Sequence, residues 1–415
     1  MLGEAGPDLP GGATRANPNM NFIIISLIKA ALIAFVFMTT LAYLQWIERK
    51  VIAHIQLRVG PYRVGPHGLL QPLADVIKLI TKEGMIPSHV NKFFYLLAPF
   101  VAVTLSLISI SVIPFGPEIE IGGVKTWMQL TDLNIGILFV LAVSSVGVYG
   151  VALAGWASNN KYALLGGLRS SAQMISYELP LALGVAAPLL LVNTLSFREI
   201  VNAQSGYWLG FIPRWNVFPE IVGFLVFLVA GFAETNRVPF DLPEAENELV
   251  AGFHVEYSSM KFASFFMAEY ANMTTVACVA TLLFLGGWTP LFPAPGSNVI
   301  PVILLAGAGA ITFFHALHPG RRKDRFTFPV VGVAAFGLAA IFAGSFLVPV
   351  LETMLMALFW FCAKVLFLLF VFIWVRGTLP RFRYDQLMRF AWTVMFPVAM
   401  LNLLVTGLVV ALSSK

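Results

Sequence analysis

Long apolar stretches, separated by short polar ones, dominate the chain. A helix needs about 20 consecutive apolar residues to cross a bilayer. The stretches that reach or approach this length show no alternation of apolar and polar positions, which argues against a transmembrane β-barrel. The pattern therefore predicts an all-α, polytopic transmembrane protein with about ten spans. The predicted spans are 22–44, 93–114, 134–157, 173–193, 217–234, 262–286, 298–317, 328–350, 353–375 and 392–412.

Composition supports this interpretation. The 415 residues are 58% hydrophobic and only 11% charged, whereas a soluble domain carries about 25% charged residues. So few charges cannot cover the surface of a soluble protein of this length. This composition excludes a soluble enzyme, a disordered protein and a nucleic-acid binder. We expect the lipid bilayer to surround the chain, and we expect no nucleic acid to bind it.

Basic residues indicate the orientation. Of the 26 Lys and Arg residues, 19 fall in loops on one side of the predicted membrane. Because cytoplasmic loops are enriched in Lys and Arg, we expect those loops in the cytoplasm and both termini on the opposite side. Residues 1–21 are predicted to form a disordered tail. The cytoplasmic loops would be 45–92, 158–172, 235–261, 318–327 and 376–391.

The first of these loops combines tight turns with an amphipathic segment. Two Gly-Pro steps, at 60–61 and 65–66, interrupt any continuous helix. Apolar side chains then recur at helical spacing through 69–80, with Asp75 and Lys78 on the other face. Such a helix suits the membrane surface or a partner protein. Glu48, Arg49 and Lys50 end the first span, and spacing alone also allows them a role as a simple interfacial anchor.

The third cytoplasmic loop is acidic. Five acids and no Lys or Arg lie between residues 241 and 256, and Asp241 with Pro243 and Glu244 resembles a capped helix start. A solvated acidic helix is the alternative to a functional cluster, and the spacing of an EF-hand is absent. The acids are Asp241, Glu244, Glu246, Glu248 and Glu256.

Three more acids lie inside predicted spans, namely Glu178, Glu234 and Glu269. A charge at the bilayer centre costs about 2.5–3.5 kcal/mol on insertion scales. We therefore expect these carboxylates to face a polar interior and to exchange protons. The structural alternative is an ion pair with a neighbouring span, for which Lys364 is the best candidate.

Motifs for bound redox groups are absent from the sequence. The two cysteines, Cys278 and Cys362, have no CxxC spacing, and neither a nucleotide motif nor a haem-ligating pair of histidines is found. We expect no metal, no cofactor and no directly catalytic residue in this chain.

The loops resemble those of a known family, the H subunits of bacterial NADH:quinone oxidoreductase (respiratory complex I). The similarity covers about 20–290 and 352–410 and includes QLRVGPYRVGP at 56–66, AETNRVPFDLPEAE at 233–246 and RGTLPRFRYDQLM at 376–388. Shorter matching runs are 47–50, 68–78, 155–163, 176–178 and 266–270.

The resemblance implies a role for each matching position. Six residues would line or approach a quinone cavity: Glu48, Arg49, Arg58, Asp75, Lys78 and Phe253. Seven acids would form a path from that cavity into the membrane arm: Glu178, Glu234, Glu244, Glu246, Glu248, Glu256 and Glu269. Four arginines would anchor the end that faces the hydrophilic subunits: Arg376, Arg381, Arg383 and Arg389.

The sequence departs from the family in two places. The family usually has about eight spans, and the excess here is a hairpin over 298–350, which we expect at the periphery without chemistry. The family-like parts would then be 22–297 and 351–415. In addition, the span 134–157 contains no acid, so a proton path would need water or neighbouring residues there.

The function implied is that of a membrane subunit of a proton-pumping enzyme of the bacterial inner membrane. Quinone would be the substrate, and iron–sulfur clusters and FMN would belong to partner subunits. Those partners would be the hydrophilic quinone-site and iron–sulfur subunits and the small membrane-arm subunits. The alternative is the equivalent subunit of a hydrogenase or formate-oxidising complex. A secondary transporter would show inverted repeats and broken helices, and a plain membrane anchor would not need buried acids.

Overall fold

The computed structural model describes residues 18–121, 124–241, 250–293, 296–317 and 324–413 and is almost entirely helical. The first helices are α1 (Pro18–Ile55), α2 (Gln71–Thr81), α3 (Lys92–Ser109), α4 (Gly136–Ala157), α5 (Lys161–Val192), α6 (Phe197–Ala203) and α7 (Ile221–Glu234). The remaining ones are α8 (Ser259–Phe284), α9 (Gly296–Leu317), α10 (Asp324–Ser345), α11 (Pro349–Thr378), α12 (Tyr384–Phe390) and α13 (Phe396–Ser413). A π-helical turn, Ala391–Met395, joins α12 to α13.

The polytopic helical class is confirmed. Within the described ranges, nine helices are long and apolar enough to cross a membrane. The predicted span 217–234 forms only the 14-residue helix α7, which at 1.5 Å per residue is shorter than the hydrocarbon core. Pro219 precedes this helix, and Asn236 follows it with a left-handed φ of 51°. Backbone outside the helical region at Asn236 ends the helix there.

Two helices extend beyond the predicted spans. Helix α1 begins inside the predicted N-terminal tail and continues to Ile55, so Glu48, Arg49 and Lys50 lie on a helix rather than at its end. Helix α5 takes up most of the predicted loop 158–172, because the Asn160 side chain accepts a hydrogen bond from the Tyr162 amide (3.0 Å) and starts the helix there.

Short antiparallel strands lie in two of the loops. Strand β1 (Glu118–Ile121) pairs with β2 (Val124–Trp127), and β3 (Tyr207–Trp208) pairs with β4 (Ile212–Pro213). Lys29, a cation within α1, donates hydrogen bonds to Thr126 Oγ1 and to the Trp127 carbonyl (2.9 Å). The β1–β2 hairpin thus provides hydrogen-bond acceptors for the Lys29 ammonium, which the apolar side chains of the span could not provide.

Helix α8 lies at the centre of the bundle, where its C-terminal half is buried almost without interruption from Tyr270 to Phe284. A second, smaller core surrounds Tyr95, Phe253 and Phe265. The loop bearing Phe253 lies directly against α5, since a Cβ at Gly166 would come within 2.7 Å of the Gly252 Cα. Only glycine permits this close approach of loop and helix.

Helices α9 and α10 pair with each other and make fewer contacts with α11. They correspond to the expected extra hairpin. Most of their apolar side chains are exposed, among them Ile303, Phe314 and Val333. The basic turn expected between them falls mostly on residues 318–323, outside the described part of the chain. These exposed apolar surfaces suit contact with lipid.

Lys364 of α11 does not form the ion pair that was the structural alternative for the intramembrane acids. Its Nζ donates hydrogen bonds to the carbonyls of Leu285 (2.6 Å), Gly287 (2.9 Å) and Thr289 (2.7 Å), just after α8 ends. The ammonium also lies 4.2 Å from the centre of the Trp215 ring. Within the described ranges no carboxylate pairs with it, so Lys364 satisfies three backbone carbonyls of the loop that follows α8.

We expect Lys364→Met to destabilise the protein by about 3 kcal/mol, because three carbonyls lose a charged donor at once. Thermal unfolding of the detergent-purified protein measures the change. Thr353→Met, at an exposed position of the same helix, is the control and should change stability by less than about 0.5 kcal/mol. Equal midpoints for the two variants would contradict this role of Lys364.

Candidate functional site

A buried carboxylate joins three distant segments of the chain. Glu48 of α1 accepts hydrogen bonds from Arg237 Nη1 at 3.1 and 3.2 Å and from Arg376 of α11. The Glu48 and Arg237 side chains are only 4% and 6% exposed. The Arg237 guanidinium also lies 4.1 Å from the centre of the Tyr270 ring of α8. Two cations thus surround one acid in a site with little water.

Glu48, Arg376 and Tyr270 of this cluster line the largest cavity described, about 530 Å³. Most ligand pockets in proteins measure about 300–1,000 Å³ and combine apolar walls with a few polar groups. Helix α1 contributes Gln45, Glu48, Arg49, Ile52 and Ala53; the following loop contributes Arg58, Gly60 and Pro61; Val238, Phe266, Tyr270 and Arg376 complete the lining. We call this space the large cavity.

The amphipathic helix α2 is tied to α1 beside the large cavity. Asp75 pairs with Arg49 at 3.0 Å and accepts a hydrogen bond from Gln71 Nε2 at 3.0 Å. Lys78 lies 3.7 Å from the same carboxylate, with its side chain 67% exposed. Asp75 and Lys78 therefore approach the large cavity through Arg49 but are not part of its lining.

A second arginine pair holds the segment that follows α7. Asp241, which is 5% exposed, accepts a hydrogen bond from Arg381 at 2.8 Å. The Phe382 amide donates to the Pro239 carbonyl at 3.0 Å. These contacts attach the start of the acidic loop to the segment between α11 and α12. Arg381 and Arg376, expected to anchor an outward-facing end, thus also make contacts inside the subunit.

Two small cavities are both lined by Glu234. The first, about 40 Å³, is also lined by Glu269, Asn236 and Phe253; the second is about 30 Å³. Both share the walls formed by Ser109, Ser144, Glu234 and Asn272. A water needs at least about 10–15 Å³ of such space and two to four polar partners, so each cavity has room for water beside a carboxylate.

Two adjacent serines of α4 serve two of the intramembrane acids. Ser144 Oγ donates a hydrogen bond to Glu234, and Ser145 Oγ donates one to Glu178 of α5. This is the span in which the sequence has no acid, and the hydroxyls provide the neighbouring residues that a proton path would need there. Consecutive serines in an otherwise apolar helix were the signal available in the sequence.

The loop after the acidic segment is held by α3 and α5. Glu256 accepts a hydrogen bond from Asn160 Nδ2 at 2.8 Å, and its backbone carbonyl accepts one from Tyr95 OH at 2.7 Å. His89 Nε2 lies 3.8 Å from the carboxylate. Burial lowers the pKa of His254 to about 4, so this histidine is neutral at pH 7 and adds no cation beside the acids.

The structure separates the expected site residues into two groups. Glu48, Arg49 and Arg58 line the large cavity. Phe253, expected beside it, is buried against Phe265 and lines the first small cavity instead. Glu178, Glu234, Glu256 and Glu269 all lie within the described ranges, each on a different segment. Glu244, Glu246 and Glu248 lie on residues 242–249, which the structure does not describe.

Sequence reasoning missed two buried groups. Arg237 appeared only as one of the loop cations, although it is a partner of Glu48. Glu220 at the start of α7 is 2% exposed and accepts hydrogen bonds from Asn402 Nδ2 (2.8 Å) and Thr406 Oγ1 (2.5 Å) of α13. Neither pairing leaves a local pattern in the sequence. Arg237 and Glu48 are 189 residues apart, and the partners of Glu220 are at least 182 residues away from it.

We expect Glu48→Gln to destabilise the protein by about 3 kcal/mol, because the substitution removes the negative charge that two buried guanidinium groups share. Asp385→Asn is the matched control, since the Arg383–Asp385 pair is exposed on both sides (76% and 67%) and such pairs contribute little. Thermal unfolding in detergent compares the two. An unfolding midpoint of Glu48→Gln equal to that of the control would refute the structural importance of the buried cluster.

The chain is similar to known proteins over nearly its whole length. The sequence model of the NADH dehydrogenase family matches residues 28–407. The NADH-quinone oxidoreductase H subunit 1 of Solibacter usitatus is 66% identical over 400 residues, which cover 95% of this chain and 99% of that protein. The H subunit 2 of Koribacter versatilis is 48% identical over 404 residues, covering 94% and 98%. The H subunit 2 of Geobacter metallireducens is 44% identical over 400 residues, covering 94% and 96%. Identity at this level over nearly the whole length shows that the chain belongs to the family of NADH-quinone oxidoreductase H subunits.

Proposed function

We propose that this subunit forms much of the quinone-binding cavity of a proton-pumping NADH:quinone oxidoreductase and a chain of acids that couples quinone reduction to proton translocation. The observation that carries the proposal is the large cavity, in which Arg49, Arg58 and the buried Glu48 cluster stand beside apolar walls. The names of the relatives favour this enzyme over a hydrogenase or formate-oxidising complex.

In this proposal the quinone headgroup occupies the large cavity. Ile52 and Phe266 offer apolar contact, and Arg49 and Arg58 offer charged donors to the quinone oxygens. Asp75 and Lys78 act through Arg49 by setting the charge around it. Phe253 supports the neighbouring small cavity, and its contact with quinone stays a prediction.

Electrons would arrive from an iron–sulfur cluster in a partner subunit. The FMN of the enzyme would likewise be bound by a partner subunit. A reduced quinone in a site of low dielectric draws protons, because a buried uncompensated anion is costly. In this proposal Arg49, Arg58 and Glu48 are the first groups whose charge is affected by the reduction of the quinone. A proton taken up there alters how readily the acids beyond the cavity hold theirs.

The acidic chain continues from the Glu256 loop to the intramembrane carboxylates. Glu234 and Glu269 border the first small cavity, and the adjacent hydroxyls of Ser144 and Ser145 lie between Glu234 and Glu178. Hydroxyls can both donate and accept, so they can relay a proton between carboxylates. Glu244, Glu246 and Glu248 are proposed to belong to the same chain of acids, as the resemblance implies.

The proposed location is the bacterial cytoplasmic membrane, with both termini on the periplasmic side. Most residues that line the large cavity fall in the segments 45–92, 235–261 and 376–391, which were predicted to be cytoplasmic from their basic residues, so the cavity would face the cytoplasm. The hydrophilic quinone-site and iron–sulfur subunits would then cover the exposed face of α2, and the small membrane-arm subunits would flank the bundle.

Purification from native membranes tests this function directly. We expect the chain to copurify with an NADH-binding flavoprotein and the complex to reduce quinone with NADH as the electron donor. A chain that purifies alone, or a complex that oxidises hydrogen or formate instead, would overturn the proposal.

We expect Glu234→Gln to lower both NADH-dependent quinone reduction and proton pumping at least about tenfold, because the substitution removes the carboxylate shared by both small cavities. Glu352→Gln is the control, since that carboxylate lies near the start of α11 and accepts from Asn298 Nδ2 (2.8 Å) away from both cavities. Rates measured in proteoliposomes that stay unchanged for Glu234→Gln would remove this residue from the path.

Ser144→Ala should slow coupled turnover about tenfold, because Glu234 loses its hydroxyl partner, and Ser144→Thr should restore most of the rate. Ser111→Ala, which removes a hydroxyl bonded to the Ile108 carbonyl of its own helix end, should leave turnover unchanged. Equal rates for Ser144→Ala and Ser111→Ala in the same proteoliposome assay would exclude a role of the hydroxyl in proton transfer.

A further inference from the structure

We propose that the hairpin α9–α10 acts as a clamp that holds the Gly-Pro loop of the large cavity in place, so that two residues of α10 position the quinone site. The proposal rests on the proposed function for its kinetic consequence. The clamp itself is an intramolecular contact and can be measured independently of quinone chemistry.

The contact joins segments 260 residues apart. His67 Nε2 and Thr327 Oγ1 are hydrogen-bonded at 2.8 Å, and the His67 ring stacks on Phe328 with centroids 5.3 Å apart and planes 25° apart. His315 of α9 lies with its ring centroid 6.1 Å from that of Phe328. Helix α10 therefore meets the loop directly, and α9 supports Phe328 from within the hairpin.

His67 lies in a tight turn, where its backbone has little conformational freedom. Its φ is 50°, in the left-handed region, and it follows Pro66 in the 3-10 turn Pro66–Gly68. This conformation costs a non-glycine residue free energy and persists only where the surroundings fix it. The hydrogen bond to Thr327 and the stack on Phe328 are two contacts from outside the loop that fix it.

The same turn is folded back onto the cavity wall. A Cβ at Gly68 would lie 2.6 Å from the carbonyl oxygen of Pro61, so the two ends of the loop are in direct contact. The Tyr62 ring meets His67 edge-on at 5.3 Å. Gly60 and Pro61 line the large cavity, so a displacement of His67 is transmitted to that lining through two short contacts.

The hairpin is attached to the rest of the chain away from the acids of the path. Its attachments in the described ranges include, besides the loop, side-chain contacts with α11 such as Phe342–Phe359 and Asn298–Glu352. Its effect on the enzyme should therefore appear in quinone binding and not in proton transfer. This distinguishes a positioning role from a general structural one.

The test uses the whole purified complex and changes only the hairpin, since substitution of His67 would add backbone strain of its own. The variant is Thr327→Val with Phe328→Leu, which removes the hydroxyl and the ring. The matched control is Thr312→Val with Phe336→Leu, whose hydrogen bond to Gly309 and ring contact with Phe313 stay inside the hairpin.

Hydrogen exchange of residues 57–70 measures the clamp. We expect exchange about tenfold faster in the variant and unchanged in the control, because one hydrogen bond and one ring contact are lost. Decylubiquinone measures the consequence. Its KM should rise about three- to tenfold while kcat at saturation and the ratio of protons pumped to electrons transferred stay as in the unchanged complex.

The outcomes separate the clamp from the proposed function. Unchanged exchange in the variant would overturn the clamp, whatever the kinetics show. Faster exchange with an unchanged KM would overturn the positioning role. Faster exchange in a complex that does not reduce quinone even without substitutions would refute the proposed function and leave the clamp intact. A kcat that falls together with the pumping ratio in variant and control alike would show a purely structural hairpin.

Discussion

The charge of Glu48 constrains the architecture around the large cavity more than any other group. A carboxylate that is 4% exposed is costly unless it is paired and hydrogen-bonded. Its two partners come from the segment after α7 and from the end of α11, so α1 cannot keep its place unless both segments keep theirs. Tyr270 adds α8 to this arrangement through its ring beside Arg237. The cavity is therefore bounded by segments that one buried ion cluster fixes relative to each other.

Other charged groups in the bundle follow the same rule by different chemistry. Lys364 is satisfied by three backbone carbonyls, and Glu220 by an amide and a hydroxyl of α13. These groups are held on several sides and border none of the three cavities described. Glu234 differs, since a serine hydroxyl supports it while two small cavities adjoin it. A carboxylate with room for water beside it can exchange a proton, whereas one enclosed by its donors serves mainly to join helices.

The sequence predicted the helical class and most of the spans, because the length of an apolar run is a local property. It misplaced the ends of α1 and α5, since polar residues such as Glu48 look like a loop unless their distant partners are known. The same limit applies to the site. Glu48 and Arg49 were expected near the cavity through the resemblance, but the pairing of Glu48 with Arg237 and Arg376, 189 and 328 residues away, has no sequence pattern. Lys364 was considered only as the ion-pair alternative for the intramembrane acids, because its backbone carbonyl partners leave no mark in a sequence.

Helix spacing explains how the large cavity and the acids can influence each other. On α8, Phe266 and Tyr270 are four residues apart and line the large cavity, whereas Phe265, Glu269 and Asn272 line the first small cavity. One helix thus forms a wall of both spaces, with residues at i and i+4 on each face. The end of α7 repeats this arrangement, since Glu234 lies at the small cavities and Arg237, three residues later, pairs with Glu48. In the proposed mechanism, a change of charge at Glu48 would reach Glu234 through the three residues from Glu234 to Arg237 and through the shared wall of α8. Electrostatic coupling across so short a path needs no large movement, because the low dielectric between the groups weakens it little.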